Sequence, residues 1–127
     1  MESQGNNFKS KNFFVSLKHA LDGIVYGIKN CKNLRIDLVF FVLVIILSFI
    51  LRISFIEWIA VIICSFVVLS LELLNTAIEE AVNLAMPNIN QTAKNSKDIA
   101  AGAVLLSAFM SLIVGLIIFI PKIISLF

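Results

Sequence analysis

Twenty-two consecutive residues, Ile99 to Ile120, carry no charge. A helix of that length rises about 33 Å, enough to cross a hydrocarbon core of about 30 Å. No water-soluble domain has a surface for such a stretch, so it dictates a membrane as solvent. The remaining residues agree with this reading. Of the 127 residues, 60% are hydrophobic and 14% charged, against about 45–50% and about 25% in average soluble chains. The formal net charge of +2 gives no electrostatic footprint for nucleic acid, and no such partner is expected. Cys31 and Cys64 are a sparse pair rather than a disulfide framework.

Two further spans precede this one. Leu38 to Leu51 is apolar apart from Ser48 but only 14 residues long. Its flanks must complete the crossing, which predicts a span over about 34–55, with Asp37 and Arg52 reaching toward the interfaces. The next runs over about 55–86, with Trp58 where an interfacial aromatic sits. Its helical pattern continues through Glu72, Asn75, Glu79 and Glu80 until Pro87 and a polar segment stop it. The uncharged stretch makes the third span, about 97–121. Near the start, Phe13, Leu17, Leu21, Ile24 and Ile28 recur at three- and four-residue steps, while Lys18, Asp22 and Lys29 fall largely off that stripe. This predicts an amphipathic helix on the membrane surface over about 13–30, with a helix packing on the soluble side as the other reading. Residues 1–12 form a polar tail without the pattern of a signal peptide.

The expected fold class is therefore an all-α membrane protein: three transmembrane helices plus an amino-terminal amphipathic surface helix, one domain over 13–127. Lys9, Lys11, Lys18, Lys29, Lys32 and Arg35 precede the first span, and Lys94 and Lys97 lie in the second loop; only Arg52 and Lys122 lie on the other side. The positive-inside rule then puts the amino terminus and the 88–98 loop in the cytoplasm of a cell with this protein in its inner (plasma) membrane.

The scarce acids are not scattered. Taking Glu72 as zero and 100° per residue, Asn75 falls at about 300°, Glu79 at about 340°, Asn83 at about 20° and Thr76 at about 40°. One helical face carries all five. Ser65 extends that stripe into the membrane, while Leu73, Leu74, Ile78 and Val82 cover the other side. A carboxylate in hydrocarbon costs about 2.5–3.5 kcal/mol on insertion scales, so the cluster calls for a partner, an ion or a reaction. Solvation beyond the membrane accounts for Glu80 and suffices for Glu79 and Asn83. Glu72 is different: aliphatic sequence precedes it and Leu73 and Leu74 follow, which sets it at the hydrocarbon edge, where a base can meet a lipid headgroup. Glu79, two turns nearer the cytoplasm, can hold a cation. On the third span, Ser96 or Asp98 is the expected amino-terminal cap, and Lys94 and Lys97 beside a helix start suit a phosphate. Ala100, Ala101, Gly102 and Ala103 allow a neighbouring helix close.

With these residues in view, the chain resembles the small integral-membrane lipid kinases of the prokaryotic diacylglycerol kinase and undecaprenol kinase family. One family signature appears as Glu72-Leu-Leu-Asn75-Thr76-Ala77-Ile78-Glu79, the other as Ala93-Lys94 through Lys97-Asp98-Ile99-Ala100-Ala101-Gly102-Ala103-Val104-Leu105. Gly23 and the Asn33-Leu34-Arg35-Ile36 stretch extend the likeness over roughly residues 13–120. The resemblance implies a homotrimer with active sites shared between subunits at the cytoplasmic interface, using ATP and Mg²⁺ to phosphorylate a membrane lipid alcohol. It implies that Glu72 is the general base, that Asn75 orients the reacting groups, that Glu79 binds the Mg²⁺ carried by ATP, and that Lys97 and Asp98 contact the nucleotide. The Ala-Ala-Gly-Ala-Val-Leu form of the second signature is more similar to the undecaprenol branch than to the diacylglycerol branch.

Three positions depart from the family pattern. Cys31 follows Asn30 where a second metal-binding glutamate is usual, Asn83 stands where an acid often follows Glu79 by four residues, and His19 occupies the place of a common tyrosine. A thiol is a poor ligand for Mg²⁺, which takes oxygen. The alternative function is therefore a catalytically weakened member that binds nucleotide or lipid. An ion path is the third reading of a polar stripe in a membrane, but only one span carries one and its charges stop near the interface.

Overall fold

The computed structural model describes the backbone from Glu2 to Phe127 and the side chains from Asn12 onward. Among these residues it is helical throughout, with four helices: α1 (Glu2–Asn30), α2 (Lys32–Ile50), α3 (Phe55–Ala85) and α4 (Gln91–Ile124). Helix α1 forms one compact unit and residues 33–127 form another. The apolar stripe Phe13, Leu17, Leu21 and Ile24 is exposed along α1. The helical backbone also reaches into the stretch expected as a polar tail, which contains no proline to stop it.

In the second unit, α2, α3 and α4 are each long and apolar enough to cross a membrane. Helix α2 ends at Ile50 rather than near 55, and the cause is visible at its end. Arg52 adopts a left-handed conformation with φ 52°. Its N–H donates to the Phe49 carbonyl at 3.3 Å, and the Ile53 N–H donates to the Ser48 carbonyl at 3.3 Å. This is the Schellman closure, which satisfies the last carbonyls of a helix and turns the chain. Ser54 then starts α3 with a capping box: the Glu57 N–H donates to the Ser54 hydroxyl, and the Ser54 N–H donates to the Glu57 carboxylate at 2.8 Å.

Helix α4 begins at Gln91, six residues ahead of the expected 97, and its cap is neither Ser96 nor Asp98. Asn90 sits in extended backbone and accepts from the N–H groups of Thr92 (2.9 Å) and Ala93 (3.2 Å). Asparagine is among the strongest capping residues, and nothing in residues 91–97 breaks a helix, so α4 starts where it can be capped rather than where the hydropathy rises. Ser96 lies in the helix and donates to the Thr92 carbonyl. Asp98 pairs with Lys94 one turn earlier at 2.7 Å.

Helices α3 and α4 pack against each other along their lengths. Near the α2–α3 turn a small core gathers Ile53, Val61 and Ile118, with Val44, Ile45 and Trp58 against them. Trp58 meets the Phe49 ring at 4.8 Å, and Phe41 meets Phe66 at 5.9 Å, both edge-on. At the same end the Lys122 ammonium of α4 reaches the Glu57 carboxylate of α3 at 3.1 Å, which pins the register of the pair. Large side chains such as Phe40, Phe49, Phe66 and Phe109 remain exposed. That would be costly in water and costs nothing against lipid tails, so the fold uses the bilayer as the solvent of its outer surface.

Candidate active site

The inner stripe of α3 consists of Val61, Cys64, Glu72 and Asn75, all buried. Glu72 is only 3% exposed and Asn75 8%. Rotation places both on the side that meets α4, while the aliphatic residues between them complete the helix surface. Thr76, half-buried, donates its hydroxyl back to the Glu72 carbonyl at 3.0 Å. One turn above Asn75, the exposed Glu79 accepts from the Asn75 amide at 3.4 Å, the long limit of a hydrogen bond. The Asn75 Oδ1 is buried and has no hydrogen-bond partner among the described residues. An acceptor in that state costs about 1–3 kcal/mol unless something fills it. Glu80 and Asn83 are exposed, as expected of a helix leaving the membrane.

Heights follow from the Glu57–Lys122 pin and a rise of 1.5 Å per residue. Glu72 lies about 22 Å above it. Ser107 of α4, also buried, lies at the same height. Glu79 is about 33 Å up, and Lys97 and Asp98 are about 36–38 Å up, so these three share one level above Glu72. The five expected residues occupy the half of the α3–α4 pair away from the pin: a buried acid and amide near mid-length, and an exposed acid, a half-buried lysine and an exposed aspartate above them. Asp98 spends its recorded bond on Lys94 and not on α3. The phosphate site expected at a helix start is displaced too, because Lys97 stands two turns inside α4.

Among the described residues no three His, Cys, Asp or Glu side chains converge as a protein-only metal cage. That suits Mg²⁺ in a phosphoryl-transfer site, which takes one or two carboxylates and completes its octahedron with phosphate oxygens and water. Glu79, exposed and 3.4 Å from the Asn75 amide nitrogen, offers one such carboxylate.

Of the inward-facing residues of α4, Ser107, Ser111 and Ile118 were not singled out in the sequence, whereas Ala100 was. Ala100, Ser107 and Ile118 are the buried residues of α4, and Ser111 is half-buried. Their spacing of seven, four and seven residues was a legible packing signal. Of the small residues singled out for close approach, Ala100 is buried while Ala101 and Ala103 are exposed, and a Cβ added at Gly102 would meet nothing within 4 Å.

Comparison with known proteins supplies the chemistry. The family model for prokaryotic diacylglycerol kinase matches residues 18–119. The undecaprenol kinase of Bacillus subtilis is 38% identical over 122 residues, covering 96% of this chain and 99% of that one. A diacylglycerol kinase from Synechocystis is 38% identical over 116 residues, 91% of this chain and 66% of the relative. Another from Sinorhizobium is 30% identical over 97 residues, 72% and 71% of the two chains. The family model covers most of the chain and these relatives run along it, so the chain belongs to the prokaryotic diacylglycerol kinase family of membrane lipid kinases.

Proposed function

We propose that this enzyme transfers the γ-phosphoryl group of ATP to the hydroxyl of undecaprenol at the cytoplasmic face of the inner membrane, working as a homotrimer with Mg²⁺. The observation that carries the chemistry is the depth of Glu72: a buried carboxylate about 22 Å above the pin, at the level where a lipid alcohol presents its hydroxyl. The near full-length likeness to an undecaprenol kinase favours the polyprenol over diacylglycerol.

In this reading Glu72 accepts the hydroxyl proton as the lipid oxygen bonds to the γ-phosphorus and the bond to ADP breaks. Asn75 holds the reacting groups in line, its buried Oδ1 accepting a hydrogen bond from substrate. Glu79 would hold the metal, and a bound Mg²⁺ would supply positive charge for the phosphate oxygens. Lys97 adds positive charge at the same height, and Asp98 fixes Lys94 beside it. Phosphoryl transfer asks for alignment and charge neutralisation more than for covalent work, and these residues supply both.

Cys31 supports a second reading, a member of weakened activity, because a thiol stands where an oxygen ligand is expected. The test of the main proposal is phosphorylation of undecaprenol and of diacylglycerol by purified protein with labelled ATP. The expected outcome is turnover with undecaprenol preferred; no turnover on either lipid refutes the proposal, and preference for diacylglycerol refutes the choice of substrate.

A further inference from the structure

We propose that a cleft below Glu72 holds the first hydrocarbon segment of the lipid alcohol, and that Phe41 makes it selective for a lipid with a single chain. This rests on the role given to Glu72 above. The cleft measures about 430 Å³, with Phe40 and Phe41 from α2, Val68 and Leu69 from α3, and Ala108 and Leu112 from α4 in its walls. Val68 and Leu69 precede Glu72 by four and three residues, so they lie beneath it on one helical face, about 5 Å lower. A lipid with its hydroxyl at Glu72 therefore has this cleft directly in the path of its chain.

The lining suits a hydrocarbon occupant. Ser65 and Ser111 also border the cleft, but their hydroxyls donate to carbonyls of their own helices, Val61 at 2.8 Å and Ser107 at 2.9 Å. Asp37 is the lining residue closest to the Lys32 end of α2, the end from which a headgroup enters. The volume is at the lower end of the roughly 300–1,000 Å³ of small-ligand sites. A polyprenol sends one chain from its hydroxyl carbon, whereas diacylglycerol carries two on adjacent glycerol carbons. Phe41 meets Phe66 edge-on, centroids 5.9 Å apart, a contact that favours its present orientation in the wall. The ring therefore sets the width available to a second chain.

The experiment measures kcat/KM for undecaprenol and for diacylglycerol, using the purified full chain in mixed micelles, wild type against Phe41→Ala. The undecaprenol preference is expected to fall at least about tenfold, the lower bound for discrimination by one apolar group. A parallel change on both lipids, or an unmoved ratio, overturns the proposal. Should Phe41→Ala not fold, Ala108→Phe narrows the cleft from the opposite wall: the KM for undecaprenol is expected to rise about tenfold with the KM for ATP unchanged, and an unchanged lipid KM overturns the proposal. Loss of the oligomer with selectivity intact makes the cleft a subunit contact and likewise overturns it. A wild type inactive on both lipids overturns the kinase reading as well, whereas an active wild type with an unmoved ratio overturns only this inference.

Discussion

Replacing Asn75 by leucine separates what the amide does for the fold from what it does for catalysis. Leucine has the branching and heavy-atom count of the amide, and its greater bulk offsets part of any stability gained. The change removes a buried Oδ1 without a partner, a state costing about 1–3 kcal/mol. It also removes the bond to Glu79 at 3.4 Å, long enough to be worth no more than about 0.5 kcal/mol. The balance is a folded state more stable by at most about 2.5 kcal/mol, read as a rise in melting temperature in detergent. Activity moves the other way. Loss of a group that orients charge in phosphoryl transfer is expected to lower kcat by about 10²–10³, the cost of removing one preorganised hydrogen-bonding side chain. The assay is steady-state phosphorylation with labelled ATP beside thermal unfolding of the same preparations. A leucine variant that melts lower, or keeps wild-type kcat, refutes the reasoning: the first outcome means Oδ1 has a stabilising partner, the second that the amide is structural.

Three further outcomes are expected. Lys122→Met breaks the pair with Glu57 far from the site, and should lower the melting temperature slightly with kcat unchanged; a loss of activity at full stability contradicts the assignment of that end as structural. Asn90→Ala should destabilise by about 0.5–2 kcal/mol through loss of two N–H acceptances, while Ser96→Ala, inside the helix, leaves the melting temperature nearly unmoved; the reverse ranking would restore Ser96 as the cap. Cys31→Glu supplies an oxygen ligand, and the weakened-member reading expects higher activity at limiting Mg²⁺; an unchanged Mg²⁺ dependence removes that reading.

The three membrane helices were legible because the hydrocarbon imposes a length and forbids charge: Ile99–Ile120 obeys both conditions alone, and Leu38–Leu51 does so once its flanks complete the crossing. The end of α2 and the start of α4 were not, because capping decides them rather than hydropathy, whereas α3 runs over Phe55–Ala85, close to the expected 55–86. Arg52 in the left-handed region has no sequence mark, since that conformation usually falls to glycine. Asn90 was hidden in a polar stretch with several candidate caps. At the site, the period of 3.6 residues put Glu72, Asn75 and Glu79 on one face, and the fold keeps them there. What periodicity could not tell is depth: Glu72 and Asn75 are enclosed by the packing of α4, Glu79 is not, and that difference separates a base from a metal ligand in the account above. The cleft was equally out of reach, since its walls come from three helices and only their packing brings Phe41, Val68 and Ala108 together.

The central claim is that Glu72 takes the proton from the lipid hydroxyl. The most direct measurement is kcat of Glu72→Gln against wild type on undecaprenol, with nucleotide binding measured in parallel. A general base contributes about 10²–10⁴ in rate, so kcat is expected to fall by that factor while ATP affinity and the melting temperature hold. Wild-type turnover by the glutamine variant would contradict the account.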